Sequence, residues 1–395
     1  MKTAPLSLVC TVNPRLDKAR RPSDGTEVTF VPMASVDETF GQIKAPQVRA
    51  YSEVAKGFTP FRENDVLLAK ITPCMENGKA AIARNLRNGI GFGSTEFHVL
   101  RAGPEILPEW IFYYIRQPDF RRRAKATFRG AVGQQRVPAD FLEREVVPVP
   151  HLDEQRRIAD ILTRAEGIIR LQRQAADKAR EAIPALFLDM FGDPATNSRK
   201  WDITHLGDLI GKGPQNGLYK PATEYGEGYP ILRIDGFYDG RVTDLGSLRR
   251  VRLTDEEAAR YALKEGNIVI NRVNSPEYLG KSAIVPPLDE FTVFESNMMQ
   301  FSVNQESIDP RFLIQLLQTP YIRQVTLSRA KHAINQSSIN QTDVKSLPVI
   351  LPPLHLQQAF AERVNDIHSI LAQRDASQRS GDGLFQALLA QAFSY

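Results

Sequence analysis

The sequence contains few cysteines and no long apolar run, and both shortages exclude classes of protein. Its 395 residues include only two cysteines, Cys10 and Cys74, too few for a disulfide scaffold or a thiolate metal site. No stretch approaches the roughly eighteen consecutive apolar residues of a transmembrane helix. The apolar patch at the N-terminus ends at Asn13 and is too short for a secretory signal. We therefore expect a cytoplasmic protein that has no membrane partner.

Motifs for catalysis and for cofactor binding are also missing. The six histidines show no i,i+4 pair and no cysteine nearby, so no zinc site is predicted. Gly280-Lys281-Ser282 resembles the end of a P-loop, but Ser275 stands where the earlier glycine is required. The sequence has neither an Asn/Asp-Pro-Pro-aromatic motif nor a nuclease-type carboxylate set with Glu-x-Lys. The chain is predicted to bind rather than to catalyse, with no cofactor or metal of its own.

The chain contains a long internal repeat. Residues 61–83 align without a gap with residues 263–285, an offset of 202 positions. The same offset places Gly78 on Gly280 and Gln134 on Gln336, and it holds from residue 61 to residue 191. So long a period indicates a duplicated domain rather than a solenoid of short repeats. Two similar modules on one chain favour a ligand that has two similar halves.

Each copy is predicted to begin with short strands and to continue into a helix. The helices are expected after Pro108 and Pro310, because proline suits the first helical turn. Two proline-rich segments, residues 146–152 and 348–356, are predicted to be extended. Runs of β-branched and aromatic residues predict strands at residues 28–31, 65–68, 268–270 and 291–294.

A long amphipathic helix is predicted at the end of each copy. In the first, apolar residues recur at spacings of three and four from Ile158 to Met190, through Ile161 and Ile168. Pro184 is expected to kink this helix without ending it. In the second, the stripe is interrupted at residues 380–383, where we expect a break or hinge. Because neither stripe can remain in water, the helices are predicted to pair as a spacer; the alternative is that each folds back on its own module.

These elements define the expected fold. We predict an α+β protein with two repeated α/β domains, each followed by a long helix, and with the two helices pairing as an antiparallel coiled-coil spacer. The predicted boundaries are 1–150 for the first domain, 151–193 for the central helix, 194–351 for the second domain and 352–395 for the distal helix.

Positive charge is concentrated at one place in each copy. Between residues 116 and 136, seven basic residues accompany one acid, Asp119. The equivalent stretch of the second copy has three basic residues and no acid, and both stretches continue into amide-rich loops. Cations neutralise phosphates, and amides pair with base edges. The duplicated pattern predicts a sequence-reading DNA-binding surface; the alternative is a solvated cationic surface followed by a polar turn.

The candidate DNA-binding residues are the cations of these stretches, the polar residues of the loops and the lysine after a glycine in each copy. For the two lysines a structural turn is an equal alternative, and Gln134 and Gln336 have the alternative role of capping the loop backbone. The candidates are Lys79, Arg121, Arg122, Arg123, Lys125, Arg129, Gln134, Gln135 and Arg136 in the first copy, and Lys281, Arg323, Arg329, Lys331, Asn335, Gln336 and Ser337 in the second.

A proline-rich segment followed by Glu154-Gln155-Arg156-Arg157-Ile158 and a long helix resembles type I restriction–modification specificity (S) subunits. The order of target-recognition domain, helix, domain and helix extends the resemblance over essentially the whole chain, although the second junction retains only Gln357. The resemblance implies a non-catalytic subunit in which each domain reads one half of a split double-stranded DNA target. It further implies two methyltransferase (M) subunits as partners, with two restriction (R) subunits as optional ones. S-adenosylmethionine, ATP and Mg would then belong to the partner subunits.

Other functions remain open on the residues alone. The chain could serve as the specificity subunit of another methylation-based defence system. It could also be a scaffold whose modules bind protein instead of DNA, and the missing motifs leave an enzyme as the weakest option. Loss of duplex binding with rising salt would argue against the scaffold, because phosphate contacts release counterions.

Overall fold

The computed structural model describes residues 2–17, 21–131, 133–243, 245–334 and 336–394. It divides into two units, Met1–Ala175 with Arg374–Tyr395, and Ala176–Gln373. Both boundaries fall inside long helices, so each unit contains part of both helices. The four-part division made from the sequence follows the helix ends instead and stays a prediction.

Two four-stranded sheets and a two-stranded one form the described part of the first unit. The strands are β1 (Thr3–Pro5), β2 (Cys10–Val12), β3 (Glu27–Val31), β4 (Gln47–Ala50), β5 (Thr59–Arg62), β6 (Val66–Ala69), β7 (Ala80–Ile82), β8 (Ile90–Gly93), β9 (Phe97–Ala102) and β10 (Val146–Pro148). The helices are α1 (Leu6–Val9), α2 (Tyr51–Val54), α3 (Pro108–Ile115), α4 (Pro118–Ala126), α5 (Ala139–Arg144) and α6 (Leu152–Phe191), the last of which continues into the second unit.

The second unit repeats this plan around a six-stranded sheet. Its strands are β11 (Asp202–His205), β12 (Ile210–Asn216), β13 (Tyr225–Leu232), β14 (Phe237–Tyr238), β15 (Gly240–Val242), β16 (Arg249–Val251), β17 (Ile268–Asn271), β18 (Val273–Asn274), β19 (Ser282–Ile284), β20 (Val293–Phe294), β21 (Met298–Val303), β22 (Lys331–Ala333), β23 (Gln336–Ser338) and β24 (Pro348–Leu351). Its helices are α7 (Leu206–Leu209), α8 (Asp255–Arg260), α9 (Pro310–Leu317), α10 (Pro320–Arg329), α11 (Gln341–Lys345) and α12 (Leu354–Ala392), whose C-terminal part belongs to the first unit.

The sheets confirm the internal repeat. β6 lies between β9 and β7, and its counterpart β17 lies between β21 and β19. All four residues of β6 and of β17 are buried, which explains why both strands are apolar except for Asn271 at the end of β17. The helices predicted after Pro108 and Pro310 are also present. The strand predicted at 291–294 is shorter than expected, because only Val293 and Phe294 pair.

The long helices pair in antiparallel fashion within each unit, as predicted. In the first unit, Leu162 of α6 shares a core with Leu389 of α12, and Gln172, further along α6, lies 3.5 Å from Ser377. In the second unit, Phe187 and Phe191 of α6 pack on Phe360 of α12, with ring centroids 5.7 and 5.5 Å apart. The helix α6 continues through Pro184, also as predicted.

The buried seam of α6 has a heptad spacing. Two members of the predicted stripe, Ile161 and Ile168, are instead 40% and 58% exposed. The expected stripe combined residues of two neighbouring faces, whereas a pair of packed helices buries one narrow seam. The buried residues at seven-residue intervals are Gln155, Leu162, Ile169, Ala176 and Ile183.

The predicted break at residues 380–383 is wrong, because α12 is continuous there. Gly381 lies on the seam, where an added Cβ would stand 3.6 Å from Ile169 Cγ1. Asp382 accepts from Arg173 of α6 at 3.0 Å. Packing against α6 thus maintains the helix through a sequence whose intrinsic helix propensity is low.

We expect Gly383→Ala to stabilise the first unit by about 0.5–1 kcal/mol, because alanine is the better helix former. Gly383 is exposed, and apart from the adjoining helix backbone no described atom lies within 4 Å of an added Cβ. A higher urea midpoint would show the gain. As a control, Gly383→Pro should cost about 3 kcal/mol. If Gly383→Pro left stability unchanged and Gly383→Ala did not raise it, the break predicted at residues 380–383 would be supported.

A buried glutamine occupies the same place in both domain–helix junctions. Gln155 Oε1 accepts from Leu107 N at 2.9 Å, while its Nε2 donates to the Glu105 and Pro150 carbonyls at 2.9 and 2.8 Å. Gln357 makes the equivalent bonds with Asp309 N, the Ser307 carbonyl and the Pro352 carbonyl at 3.0, 3.4 and 2.7 Å. The two junctions therefore share their contacts, although the second lacks most of the first one's sequence motif.

No described helix is long and apolar enough to cross a membrane. Among the described residues, no group of three or more His, Cys, Asp or Glu side chains is placed to hold a metal ion.

Candidate nucleic-acid interface

Each unit carries a β-hairpin beside the end of its central strand. In the second unit, β22 and β23 pair from Lys331↔Ser338 to Ala333↔Gln336, and β18, which follows β17, pairs with β23. In the first unit, Arg129 and Ile71 both form bridges with Arg136. Both of these bridges fall on pairings of the second unit at the offset of 202: Ile71 on Val273, Arg129 on Lys331 and Arg136 on Ser338. The two amide-rich stretches are therefore equivalent hairpins rather than irregular loops.

Exposed polar residues of the hairpins include Gln134, Gln336 and Lys331. Among the described residues, none of these three side chains makes a hydrogen bond or an ion pair. Nothing in that part of the structure thus supports the capping role considered for the two glutamines. Each amide retains a donor and an acceptor that are available to a ligand.

Three other hairpin candidates differ from these. The backbone of Gln135 pairs with Thr72, whose N donates to the Gln135 carbonyl at 2.9 Å. Ser337 is buried, with its Oγ 2.9 Å from His332 Nδ1. Asn335 lies outside the described residues. Gln135 and Ser337 therefore help to build the hairpins.

A cation stands at the base of each hairpin, and the sequence reading missed both. The Lys70 carbonyl accepts from Val137 N, and the Arg272 carbonyl accepts from Ile339 N, each at 2.9 Å. Both side chains are half-buried, and Arg272 Nη1 donates to the Ser296 carbonyl at 3.1 Å. These residues lie outside the basic stretches, and the signal that could have found them is the repeat alignment, which places Lys70 on Arg272.

Most cations of the first basic stretch are paired with carboxylates, because the fold brings acids that are distant in sequence close to them. Five carboxylates from outside residues 116–136 lie within ion-pair distance of cations in this stretch. No described carboxylate pairs with Arg121, which donates to the Glu76 carbonyl at 3.2 Å. The pairs are Arg116–Glu166 (2.6 Å), Arg122–Asp119 (2.6 Å), Arg123–Glu145, Lys125–Glu76 (2.6 Å), Arg129–Asp140 (3.0 Å) and Arg136–Glu96 (2.7 Å).

Two of these arginines are held by particularly complete sets of bonds. Arg136 donates to both Glu96 oxygens, and its hydrogen bond holds the pKa of Glu96 below its usual value. Arg123 Nε lies 3.1 Å from Glu145, which also accepts from Tyr114 OH at 2.6 Å. Burial alone would lower the pKa of Arg123, but the bond and charge of Glu145 raise it. Both arginines are thus engaged in the fold of the first unit.

The cations of the second copy meet carbonyl and hydroxyl groups instead of carboxylates. Arg323 donates to the Glu277 carbonyl at 2.7 Å, and Arg329 to Ser346 Oγ at 2.8 Å. No described carboxylate pairs with Arg323, Arg329 or Lys331. Among the described residues of the two basic stretches, more cations therefore lack a carboxylate partner in the second copy than in the first, the reverse of what the counts of basic residues predict.

The contacts of the two turn lysines favour the structural alternative. Lys79 Nζ donates to the Met33 carbonyl at 3.4 Å, and Lys281 Nζ to the Ile234 carbonyl at 2.7 Å. Lys281 also lies 3.8 Å from the centre of the Tyr238 ring, and burial lowers its pKa. The preceding glycines have positive φ values of 79° and 76°, as a tight turn requires. Each lysine thus links the turn that contains it to a backbone carbonyl earlier in the same copy.

Arg123→Ala is expected to lower the free energy of unfolding of the first unit by about 1–3 kcal/mol, because it removes a partner from the nearly buried Glu145. The dependence of DNA affinity on salt should stay unchanged. Urea denaturation and DNA titrations at several salt concentrations measure the two effects. The exposed Arg122→Ala is the matched control for stability. A salt slope that falls with Arg123→Ala would identify this arginine as a phosphate contact after all.

One family model matches both halves of the chain. The model of the type I restriction modification DNA specificity domain matches twice, at residues 3–179 and 198–376. The chain belongs to this family. Each of its two DNA specificity domains contains one of the hairpins, and each match extends into the long helix that follows it.

The chain is also similar to curated proteins that are named as type I restriction enzyme specificity subunits. The chain is 37% identical over 154 residues to the type I restriction enzyme EcoAI specificity subunit of Escherichia coli, a match that covers 39% of this chain and 26% of that protein. It is 27% identical over 312 residues to the StySPI specificity subunit of Salmonella potsdam, covering 74% and 66% of the two. The chain thus spans about a quarter of the EcoAI subunit.

Solved structures have the same fold as this chain. The S subunit of a type I restriction-modification system from M. genitalium has a TM-score of 0.57 at 14% identity, over 99% of this chain and 96% of that one. A chain from work on complex assembly and conformational transition of the type I R-M system has a TM-score of 0.60 at 18% identity, over 99% and 97%. These likenesses confirm the duplicated α+β fold with two long helices.

Proposed function

We propose that this chain is the sequence-specific DNA-binding subunit of a type I restriction–modification complex, and that each unit reads one half of a bipartite target. The observation that carries the proposal is the duplicated hairpin, with an exposed glutamine at positions 134 and 336 and equivalent backbone pairing. Membership of the DNA specificity domain family supports it independently.

The hairpin suits the major groove of duplex DNA. That groove is about 12 Å wide and admits a two-stranded β-ribbon, and glutamine pairs there with the adenine edge. Gln134 and Gln336 would then read bases, while Lys331, Lys70 and Arg272 neutralise phosphates. The other cations first named from the sequence remain candidates, but those with internal carboxylate partners must give up an ion pair to bind a phosphate.

The partners and cofactors follow from the same assignment. Two methyltransferase subunits would join the chain and bring S-adenosylmethionine, and restriction subunits would bring the ATP- and Mg-dependent activity. The chain itself would select the site without catalysis, in the cytoplasm. Methylation or cleavage of DNA by the purified chain alone would contradict this assignment.

Selection from a pool of randomised duplex DNA tests the proposal. The full chain should enrich two short sequences separated by a gap of constant length. Its affinity should fall steeply with salt, by about 0.9 log units per log unit of salt for each phosphate contact. A single contiguous sequence would contradict the bipartite target. Failure to enrich any sequence would instead favour the scaffold considered above.

The long helices are proposed to set the gap between the half-sites. Inserting one heptad both after Ala175 and after Gln373 keeps the seam in register and adds about 10.5 Å of helix. The gap should grow by about three base pairs, at 3.4 Å per base pair, while both half-sites stay the same. The enriched sequences provide the measurement, with an insertion in α6 alone as a control that breaks the pairing. An unchanged gap would disprove the ruler.

A further inference from the structure

The most exposed large hydrophobic side chain among the described residues lies at the tip of a hairpin. Ile334 is 94% exposed and follows Ala333, the last residue of β22. It belongs to no apolar cluster of the second unit. Turns favour glycine, asparagine, aspartate and serine, so the turn itself does not explain an isoleucine. Neither the packing of this unit nor the turn therefore explains an isoleucine at this position.

The neighbours of Ile334 are those expected to face DNA. Gln336 pairs with Ala333 across the hairpin end, and Lys331 begins the same hairpin. The residue 202 positions earlier is Val132, which lies outside the described residues but is also apolar and β-branched. An apolar β-branched residue thus occurs at the same position of both amide-rich stretches.

We propose that Ile334 contacts the 5-methyl group of a thymine in the half-site read by the second unit. This inference rests on the proposed function. Among the base edges of the major groove, the thymine methyl is the apolar feature, and apolar side chains recognise it. The narrower minor groove, about 6 Å wide, offers no such group and leaves less room for a β-ribbon. A hairpin that carries an isoleucine and an amide two residues apart would therefore read a methyl group and a polar edge on neighbouring base pairs.

Deoxyuridine provides the sharpest probe, since it differs from thymidine only by that methyl group. The full chain is first used to select its preferred duplex, and each thymine of both half-sites is then replaced singly by deoxyuridine. We expect one position in one half-site at which the replacement weakens binding about fourfold, the effect of one methyl group withdrawn from an apolar contact. Indifference to every replacement would disprove the inference.

A variant at the hairpin tip identifies the side chain responsible. Ile334→Ala should bind the thymine duplex more weakly than the unsubstituted chain and should no longer respond to deoxyuridine at the sensitive position. Ile203→Ala, at a residue that is 59% exposed on β11, is the matched control and should keep the full response. Equal responses of Ile334→Ala and the unsubstituted chain would assign the methyl contact to another residue and overturn the proposal.

Two further outcomes separate this inference from its foundation. If Ile334→Ala weakens binding to all duplexes equally and no replacement matters, the residue acts as a wedge between base steps, and the methyl contact is disproved. If the unsubstituted chain selects a bipartite sequence but is insensitive to deoxyuridine, only the present inference fails. If it selects no sequence at all, the proposed function fails with it.

Discussion

Replacing Gln357 by leucine should lower the free energy of unfolding of the second unit by about 3–5 kcal/mol. The side chain is fully buried and bonds Asp309 N, the Ser307 carbonyl and the Pro352 carbonyl. Leucine has a similar size but offers no hydrogen bond, so three backbone groups would lose their partner. Each buried group left unsatisfied costs about 1–3 kcal/mol, and the 3.4 Å bond to Ser307 is the weakest of the three. Equilibrium urea denaturation followed by hydrogen-exchange mass spectrometry reports the two units separately.

The chain provides a matched control in the adjacent residue. Gln358 is exposed, and Gln358→Leu should change stability by no more than about 0.5 kcal/mol. Gln155→Leu should reproduce the large loss, but in the first unit. Equal effects of the substitutions at positions 357 and 358 would show that the buried amide is not required.

The repeat made most of the fold predictable. A constant offset links local patterns in two copies, so Pro108 and Pro310 support each other as the starts of helices, and two apolar stripes predict a pair of long helices. The break expected at residues 380–383 is wrong, because the low helix propensity of Gly381 and Gly383 does not decide the structure there. Packing of Gly381 against Ile169 is a tertiary contact, and it overrides that propensity.

The candidate site was harder to predict, because charge balance depends on residues that are distant in sequence. Seven basic residues beside one acid suggested a strong field, but Glu76, Glu96, Glu145 and Glu166 approach these cations only in the folded chain. Composition does not predict the hairpins either, because their strands are short and polar. What the sequence did identify was the equivalence of Gln134 and Gln336, because it follows from the repeat and not from local pattern.

That equivalence leads to a contrast between two residues of the same hairpin, Gln336 and Lys331. Gln336→Ala should relax selectivity in one half-site by about 1–3 kcal/mol, roughly 5- to 150-fold, because a bidentate contact to a base edge would be lost. Lys331→Ala should weaken binding to all sequences alike and lower the salt slope by about one unit, because a cation in this position neutralises a phosphate without reading a base. Both side chains are exposed, so neither substitution should reduce stability.

Competition binding with variants of each half-site measures the first effect, and titration at several salt concentrations measures the second. Gln134→Ala is the matched control, because it occupies the equivalent position of the first unit and should relax the other half-site only. The decisive result is that Gln134→Ala and Gln336→Ala each relax selectivity in a different half-site. If the two hairpins have the proposed role, each unit reads its own half of the target. A uniform loss of affinity with Gln336→Ala, with selectivity intact in both half-sites, would remove this residue from base recognition and leave it the role of supporting the hairpin backbone.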